Sequence, residues 1–260
     1  MKFLMIGDVV GKPGREILFK FLEKRKQNYD FIIVNGENAA AGFGITPKIA
    51  EQFFSKGVDV ITLGNHTYDR KEIYSYLNEN SRIIRPYNYH PENAGNGYVI
   101  VNKKGVKIAV VNLQGKVFMQ PISCPFLKID ELAPKLKKES DILIVDFHAE
   151  ATSEKQAMGW NLVGLATVIY GTHTHTQTAD NKILAGKTGF ITDIGMTGGH
   201  DGVLGMNKRE SLKRLKTGFS ERYVPCEEGL RINGIEVEID DKSFKCLKID
   251  RLNMGYDEVW

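Results

Sequence analysis

Four times along this sequence, a short apolar run stops at a polar residue of a kind that binds cations, with glycine close by. Lys2 to Gly7 ends at Asp8, and Phe31 to Asn35 runs into Gly36-Glu37-Asn38. Val60 to Leu63 stops at Gly64-Asn65-His66, and Ala166 to Tyr170 delivers Gly171-Thr172-His173-Thr174-His175. Helical patterns separate the first runs. One covers Glu16 to Gln27; another opens with Thr46 as N-cap and Pro47 at the first helical position and continues to about Lys56. Strands alternating with helices imply a parallel sheet, and all the C-terminal strand ends of such a sheet lie along one edge. Ligands bind at that edge, so residues far apart in the chain are gathered into one cleft.

Taken singly, each residue has a plainer reading. Asp8 would serve as a helix cap, Asn65 as a turn former, and His173 with His175 as a surface pair bonded to threonines. The histidine pair carries a stronger implication as well. In extended backbone, residues two apart point the same way, so both rings converge on one point or on two adjacent points. Neutral imidazole is the commonest metal ligand, whereas two protonated rings facing one way repel each other.

The middle of the chain changes character. Ser81 to Asn96, polar and proline-bearing, reads as a surface excursion forming a rim of the cleft, with His90 as a solvated loop histidine. Tyr98 to Val101 and Val106 to Leu113 flank Asn102-Lys-Lys-Gly105, which is a hairpin signal. Prolines 121, 125 and 134 predict an irregular stretch up to a short helix near Lys128 to Lys138, whose lysines form a solvated end. Asp141 to Phe147 reads as a buried strand that delivers His148, repeating the pattern of the four junctions. Asp146 within it fits a paired core carboxylate better than a partner of the ligands. From Ser153 to about Leu165 the pattern is helical, with Met158 and Trp160 expected in the core. A second hairpin is expected from Lys182 to Ala185 and Gly189 to Thr192. The glycine-rich stretch 193–205, which holds Asp193, His200 and Asp201, suits either a flexible connector or a flap over substrate. A basic helix over Asn207 to Thr217 and a closing hairpin of Leu230 to Ile239 with Phe244 to Ile249 complete the chain.

Composition narrows the function classes. The 260 residues carry 35 basic and 32 acidic side chains, a net charge of +3. That balance gives no footprint for nucleic acid, so RNA is not indicated as a partner. Cysteines 124, 226 and 246 are odd in number and far apart, which suits reduced thiols in a cytoplasm. The first apolar run breaks at Asp8 and no longer one follows, so neither a secretory signal nor a membrane span is expected. No linker or internal repeat divides the chain, and one domain over 1–260 is expected.

The collected set is Asp8, Glu37, Asn38, Asn65, His66, His148, His173 and His175. Two carboxylates, two amides and several imidazoles exceed what one ion needs. Two ions about 3.5–4 Å apart, sharing a carboxylate, would use them well, because such a pair activates a bridging hydroxide and neutralises phosphate charge. Mixed oxygen and nitrogen ligands favour iron(II), manganese(II) or zinc over calcium.

Gly7-Asp8, Gly64-Asn65-His66, His148 and Gly171-Thr-His-Thr-His175 resemble the signature of the calcineurin-like metallophosphoesterase superfamily. Gly7-Asp8-Val9-Val10-Gly11, Asn35-Gly36-Glu37-Asn38 and Gly171 through Ala179 more closely resemble the YmdB-like bacterial phosphodiesterases, over essentially the whole chain. Asp8-Val9-Val10 departs from the superfamily's Asp-x-His, and Asn38 takes the place of that imidazole in the YmdB-like group. The resemblance implies an α/β fold, a two-sheet αββα sandwich. It implies one metal held by Asp8, Glu37, Asn38 and His175, a second by Glu37, Asn65, His148 and His173, and His66 as general acid or transition-state stabiliser. It further implies in-line attack by the bridging hydroxide on 2′,3′- and 3′,5′-cyclic nucleotides, and a homo-oligomer. The residues themselves support phosphate-ester hydrolysis. A phosphomonoesterase with the same metals, or a non-catalytic regulator stapled by metals and binding RNA or a protein, stand as alternatives.

Overall fold

The computed structural model describes residues 1–219 and 222–259. The first part of the chain alternates β1 (Lys2–Ile6), β2 (Asp8–Val9), α1 (Gly11–Arg25), β3 (Phe31–Asn35), α2 (Pro47–Ser55), β4 (Val60–Thr62), α3 (Ile73–Glu79) and β5 (Ile83–Ile84). Next come β6 (Tyr98–Lys103), β7 (Val106–Gln114), α4 (Pro125–Glu139), β8 (Ile142–His148), α5 (Thr152–Asn161), β9 (Val168–Thr172), β10 (Lys182–Leu184) and β11 (Thr188–Ile191). The chain then returns through β12 (Met196–Gly199), α6 (Lys208–Thr217), β13 (Leu230–Ile239), β14 (Cys246–Gly255) and α7 (Tyr256–Val259).

These strands form two sheets. The first runs β2-β12-β13-β1-β3-β4-β5 with β14 on β13, and the second runs β10-β11-β9-β8-β7-β6. β1, β3 and β4 are mutually parallel, as are β7, β8 and β9. Strand alternation explains why the sheets stack. On β1, Phe3 and Met5 face the second sheet and meet Ile108, Val110, Ile144 and Tyr170. Leu4 and Ile6 point the other way and pack with Ile17, Phe21 and Phe53 of α1 and α2. The outer face of the second sheet buries Val111, Val145 and Ile169 against Leu132 and Leu136 of α4 and Met158 of α5. Each such side chain contributes about 1.5–3 kcal/mol on full burial. The result is the expected αββα sandwich, with helices outside and an apolar seam between the sheets.

Several expectations are corrected. α1 begins at Gly11 rather than Glu16, because its first turn lies on β12: a Cβ on Gly14 would sit 2.3 Å from the Thr197 carbonyl oxygen. α4 begins at Pro125, where a first-turn proline forfeits no hydrogen bond, and it carries Pro134 inside it. The glycine-rich stretch 193–205 is no connector, since β12 within it pairs with both β2 and β13. Ser81 to Asn96 is not a surface excursion throughout: it contains β5, and Arg85 and Asn88 are buried. Asn88 donates to the Gln114 carbonyl and accepts from the Gln114 amide, which docks this segment on the end of β7. Met158 is core, but Trp160 is exposed, because Met158 and Gly159 already fill the face of α5 that meets Phe190. α3, only seven residues long, is an addition to the elements expected from the sequence.

All three cysteines are free. Cys226 and Cys246 are buried, and burial pushes the Cys246 thiol up to about 11, whereas Cys124 is half-buried at the start of α4. Titration of the native protein with a disulfide reagent is expected to modify Cys124 quickly and leave the other two unmodified until denaturant is added. Rapid reaction of all three would contradict this packing.

Candidate metal centre

Parallel strands leave the sequence no choice about where their carboxyl ends go. β1, β3 and β4 of one sheet and β7, β8 and β9 of the other end at the same rim of the sandwich, and there Asp8, Glu37, Asn65, His148 and His173 meet. Asp8, Glu37 and His148 are fully or almost fully buried. The histidine loop differs from the extended backbone expected of it. His173 and His175 both adopt left-handed conformations, with φ of 98° and 62°. Such residues cost on the order of 1–3 kcal/mol each. The two rings consequently diverge, His173 toward His148 and Glu37, His175 toward Asn38 and Asp8.

The contacts are short and of one kind. Nε2 of His148 lies 2.9 Å from Asn65 Oδ1, 3.0 Å from Glu37 Oε1 and 3.1 Å from His173 Nδ1. One ring nitrogen carries at most one proton and cannot satisfy three lone-pair atoms at once. Such atoms crowd together naturally around a shared cation: adjacent ligands at bond lengths near 2.1 Å stand about 3 Å apart. Nε2 of His175 is 3.3 Å from Asn38 Oδ1 and 3.9 Å from Asp8 Oδ1, and that Asp8 oxygen is buried with no hydrogen-bond partner. Glu37, His148 and His173 alone offer ligand atoms that all lie within 4.8 Å of one another.

The outward nitrogens are equally consistent. His148 Nδ1 meets Thr172 Oγ1 at 2.9 Å, His173 Nε2 meets Glu150 at 3.1 Å, and His175 Nδ1 meets the Leu204 carbonyl at 3.0 Å. Each acceptor holds a proton on the outer nitrogen and turns the inner lone pair toward the cluster, the usual support of a metal-binding imidazole. Glu150 and Leu204 carried no sequence signal for this role.

Electrostatics point the same way. Burial opposes ionisation of Glu37, but the adjacent His148 and the His66 backbone amide outweigh it and hold the carboxyl down to about 2. Burial also opposes charge on His148, yet Glu37, Asp8 and Asp146 push it up to about 9. Burial and the charge of His148 push His173 down to about 3, leaving a neutral ring with a free lone pair. Burial raises Asp8. A buried negative field of this kind favours a cation, and the residues present fit divalent metals.

Backbone features make room. A Cβ at Gly64 would lie 2.3 Å from both Glu37 Oε2 and His148 Cδ2, so only glycine fits there. Behind the histidine loop, Asp193 accepts from the amide and hydroxyl of Thr174, the residue between the two histidines, and pairs with buried Lys155 at 2.6 Å. His66 sits at the cleft edge, its Nδ1 2.7 Å from Asp69 Oδ2, and nothing in the local sequence marks Asp69 for this role. His90 and His200 lie outside the cluster, each lining a separate hollow.

A family model described as "YmdB-like protein" matches residues 4–252. The chain belongs to the YmdB-like family. It is 45% identical to the "2′,3′-cyclic-nucleotide 2′-phosphodiesterase" of Bacillus subtilis (strain 168), with 100% of this chain and 99% of that protein aligned. A solved structure described as a novel phosphatase from Mycoplasma pneumoniae is 36% identical, with a TM-score of 0.92 over 98% of this chain and 93% of that one. A putative 5′-nucleotidase from Staphylococcus aureus, 14% identical, superimposes with a TM-score of 0.60 over 96% of this chain and 53% of that one, a likeness of fold. The likeness agrees with the two-sheet α/β sandwich described above.

Two variants test the construction of the centre. Gly64→Ala is expected to leave the far-ultraviolet circular dichroism native while bound metal, measured by elemental analysis, falls well below wild type. Lys155→Met strands the buried Asp193 carboxylate, and denaturant unfolding is expected to show a loss of about 3–5 kcal/mol.

Proposed function

We propose that this chain is a metal-dependent phosphodiesterase, a hydrolase of phosphoric ester bonds, and that cyclic nucleotides with 2′,3′ or 3′,5′ rings are its substrates. The observation that carries this reading is the convergence of lone pairs from Glu37, Asn65 and His173 on one nitrogen of His148, beside an unpartnered Asp8 oxygen. The name of the Bacillus relative supplies the ester class. Asp8, Glu37, Asn38 and His175 would hold one divalent ion and Glu37, Asn65, His148 and His173 a second, with Glu37 common to both. Iron(II) or manganese(II) suits this mixed oxygen and nitrogen set, and zinc is the further candidate. Bound there, two such ions supply an activated water and charge neutralisation for the phosphate.

The remaining chemistry falls to His66. With Nδ1–H donated to Asp69 and the backbone amide tied to Glu37, the His66 ring turns Nε2 to the cleft, where its imidazolium form would carry the second proton. It is thereby placed to give a proton to the departing ester oxygen, a contribution typically of about 10²–10⁴-fold. Burial of Glu37 and His148 keeps bulk water from competing for the same groups. We take 1–260 as one catalytic domain, acting in the cytoplasm as a homo-oligomer on a small diester rather than on RNA, in keeping with the near balance of charge. No helix among the described residues is long and apolar enough to cross a membrane.

His66→Ala is expected to retain its metal while turnover of bis(p-nitrophenyl) phosphate falls about 10²–10⁴-fold. Undiminished turnover would remove His66 from the reaction. Preference for p-nitrophenyl phosphate over the diester in the wild type would favour the monoesterase instead.

A further inference from the structure

Resting on the phosphodiesterase reading above, we infer that the apolar cleft bounded by Phe43 and Tyr223 is a nucleobase subsite, which holds the base of a nucleoside cyclic phosphate while its phosphate lies at the metal centre. The cleft measures about 340 Å³, within the range of about 300–1,000 Å³ usual for small-molecule sites. It is continuous with the centre, because Glu37, Asn38, His66, His173 and His175 form one end of it. The other end is built from different material: Phe43, Leu204, Met206, Ser211, Leu215 and Tyr223.

Three features of that far end match a base rather than an aliphatic ester group. First, the wall is aromatic and held in place. Phe43 meets the His66 ring edge-on at 5.0 Å between centroids, Tyr223 lies 6.1 Å beyond Phe43, and the Arg214 guanidinium sits 5.0 Å from the centre of the Tyr223 ring. The wall therefore starts at the residue that faces the phosphate and runs outward from it, as the base of a nucleotide runs outward from its ribose phosphate. Second, the large apolar side chains there are costly to leave in water: Leu204 is 54% exposed and Leu215 76% exposed. A flat ring laid against them removes that surface. Third, the lining contains an unspent polar group. Ser211 is 3% exposed, and its hydroxyl has no hydrogen-bond partner among the described residues. A buried hydroxyl without a partner costs free energy unless a ligand meets it, and a nucleobase combines apolar faces with a polar edge. A hydrocarbon tail would use the leucines and leave Ser211 unmet.

Stacking of a base on aromatic side chains contributes roughly tenfold to hundredfold in affinity. The decisive comparison sets adenosine 2′,3′-cyclic phosphate against glycerol 1,2-cyclic phosphate, which has the same five-membered phosphate ring and no base. Metal-loaded wild type is expected to prefer the nucleotide roughly tenfold to hundredfold in kcat/KM. That ratio should fall toward one in Tyr223→Ala and survive in Tyr223→Phe, which keeps the ring. Calorimetry provides a readout without turnover: adenosine 3′-monophosphate should bind more tightly than inorganic phosphate, and Tyr223→Ala should erase most of that difference. Equal treatment of the two cyclic esters by the wild type, or a preference that persists in Tyr223→Ala, overturns the subsite. Hydrolysis of neither ester would overturn the phosphodiesterase reading instead, and the calorimetric comparison would still decide whether a base is bound here.

Discussion

One buried carboxylate ties the two sheets together where the site is built. Asp146, on β8 of the second sheet, accepts hydrogen bonds from Thr62 on β4 and Asn35 on β3 of the first, and from Thr172 on its own neighbour β9. Burial pushes its carboxyl up to about 7 against the pull of those hydroxyls, so the group is held at a cost that its partners offset. Its position also orders the next layer outward. The hydroxyl of Thr172 bonded to Asp146 is the one that meets His148 Nδ1, so the link between the sheets and the aim of that imidazole are one network. Without it, the rim would lose its polar link between the sheets, and the side chains that opposite sheets contribute to the cluster would lose a shared anchor.

A second device holds the histidine loop. Left-handed backbone at His173 and His175 is unfavourable, and it persists because the surroundings over-determine it. The His173 amide is bound to Asp8, Thr174 is bound twice to Asp193, and Asp193 is anchored by Lys155 beneath Gly171. The strain thus falls on the residues whose rings must point in two directions, and the buried ion pair behind them supplies the restraint. Pre-organisation of this sort would keep the candidate ligand atoms close together without a cation to assemble them.

The supports of the site were less legible than the residues proposed to hold metal. Asp8, Glu37, Asn65, His148 and the histidine pair declare themselves because each follows an apolar run and stands beside a small residue. Asp69, Glu150 and the Leu204 carbonyl sit in loops whose course depends on distant packing, and nothing in their local sequence marks them. Asp146 illustrates the same limit from another side. Inside an apolar strand it fits a paired core carboxylate, and it is one, but its partners come from three other strands. Ser81 to Asn96 misleads for a related reason: its prolines and polar groups suit a surface loop, yet Asn88 and Tyr89 spend those groups on the backbone of Gln114 and Gly64 beneath the site.

Local pattern alone determined that this chain alternates strand with helix, that its first strands are parallel, and that polar residues of ligand type would share one rim. Those conclusions follow from periodicity and from the fixed direction of parallel strands, which are properties of neighbouring residues. Tertiary structure decided which lone pair faces which, that His173 and His175 aim at two adjacent points rather than one, and that β12 crosses the glycine-rich stretch as a strand. It also decided that Phe43, Ser211 and Tyr223, from three separate segments, line one cleft. These are matters of a few ångströms and of ring orientation, set by contacts between residues far apart in the chain, and no local pattern encodes them.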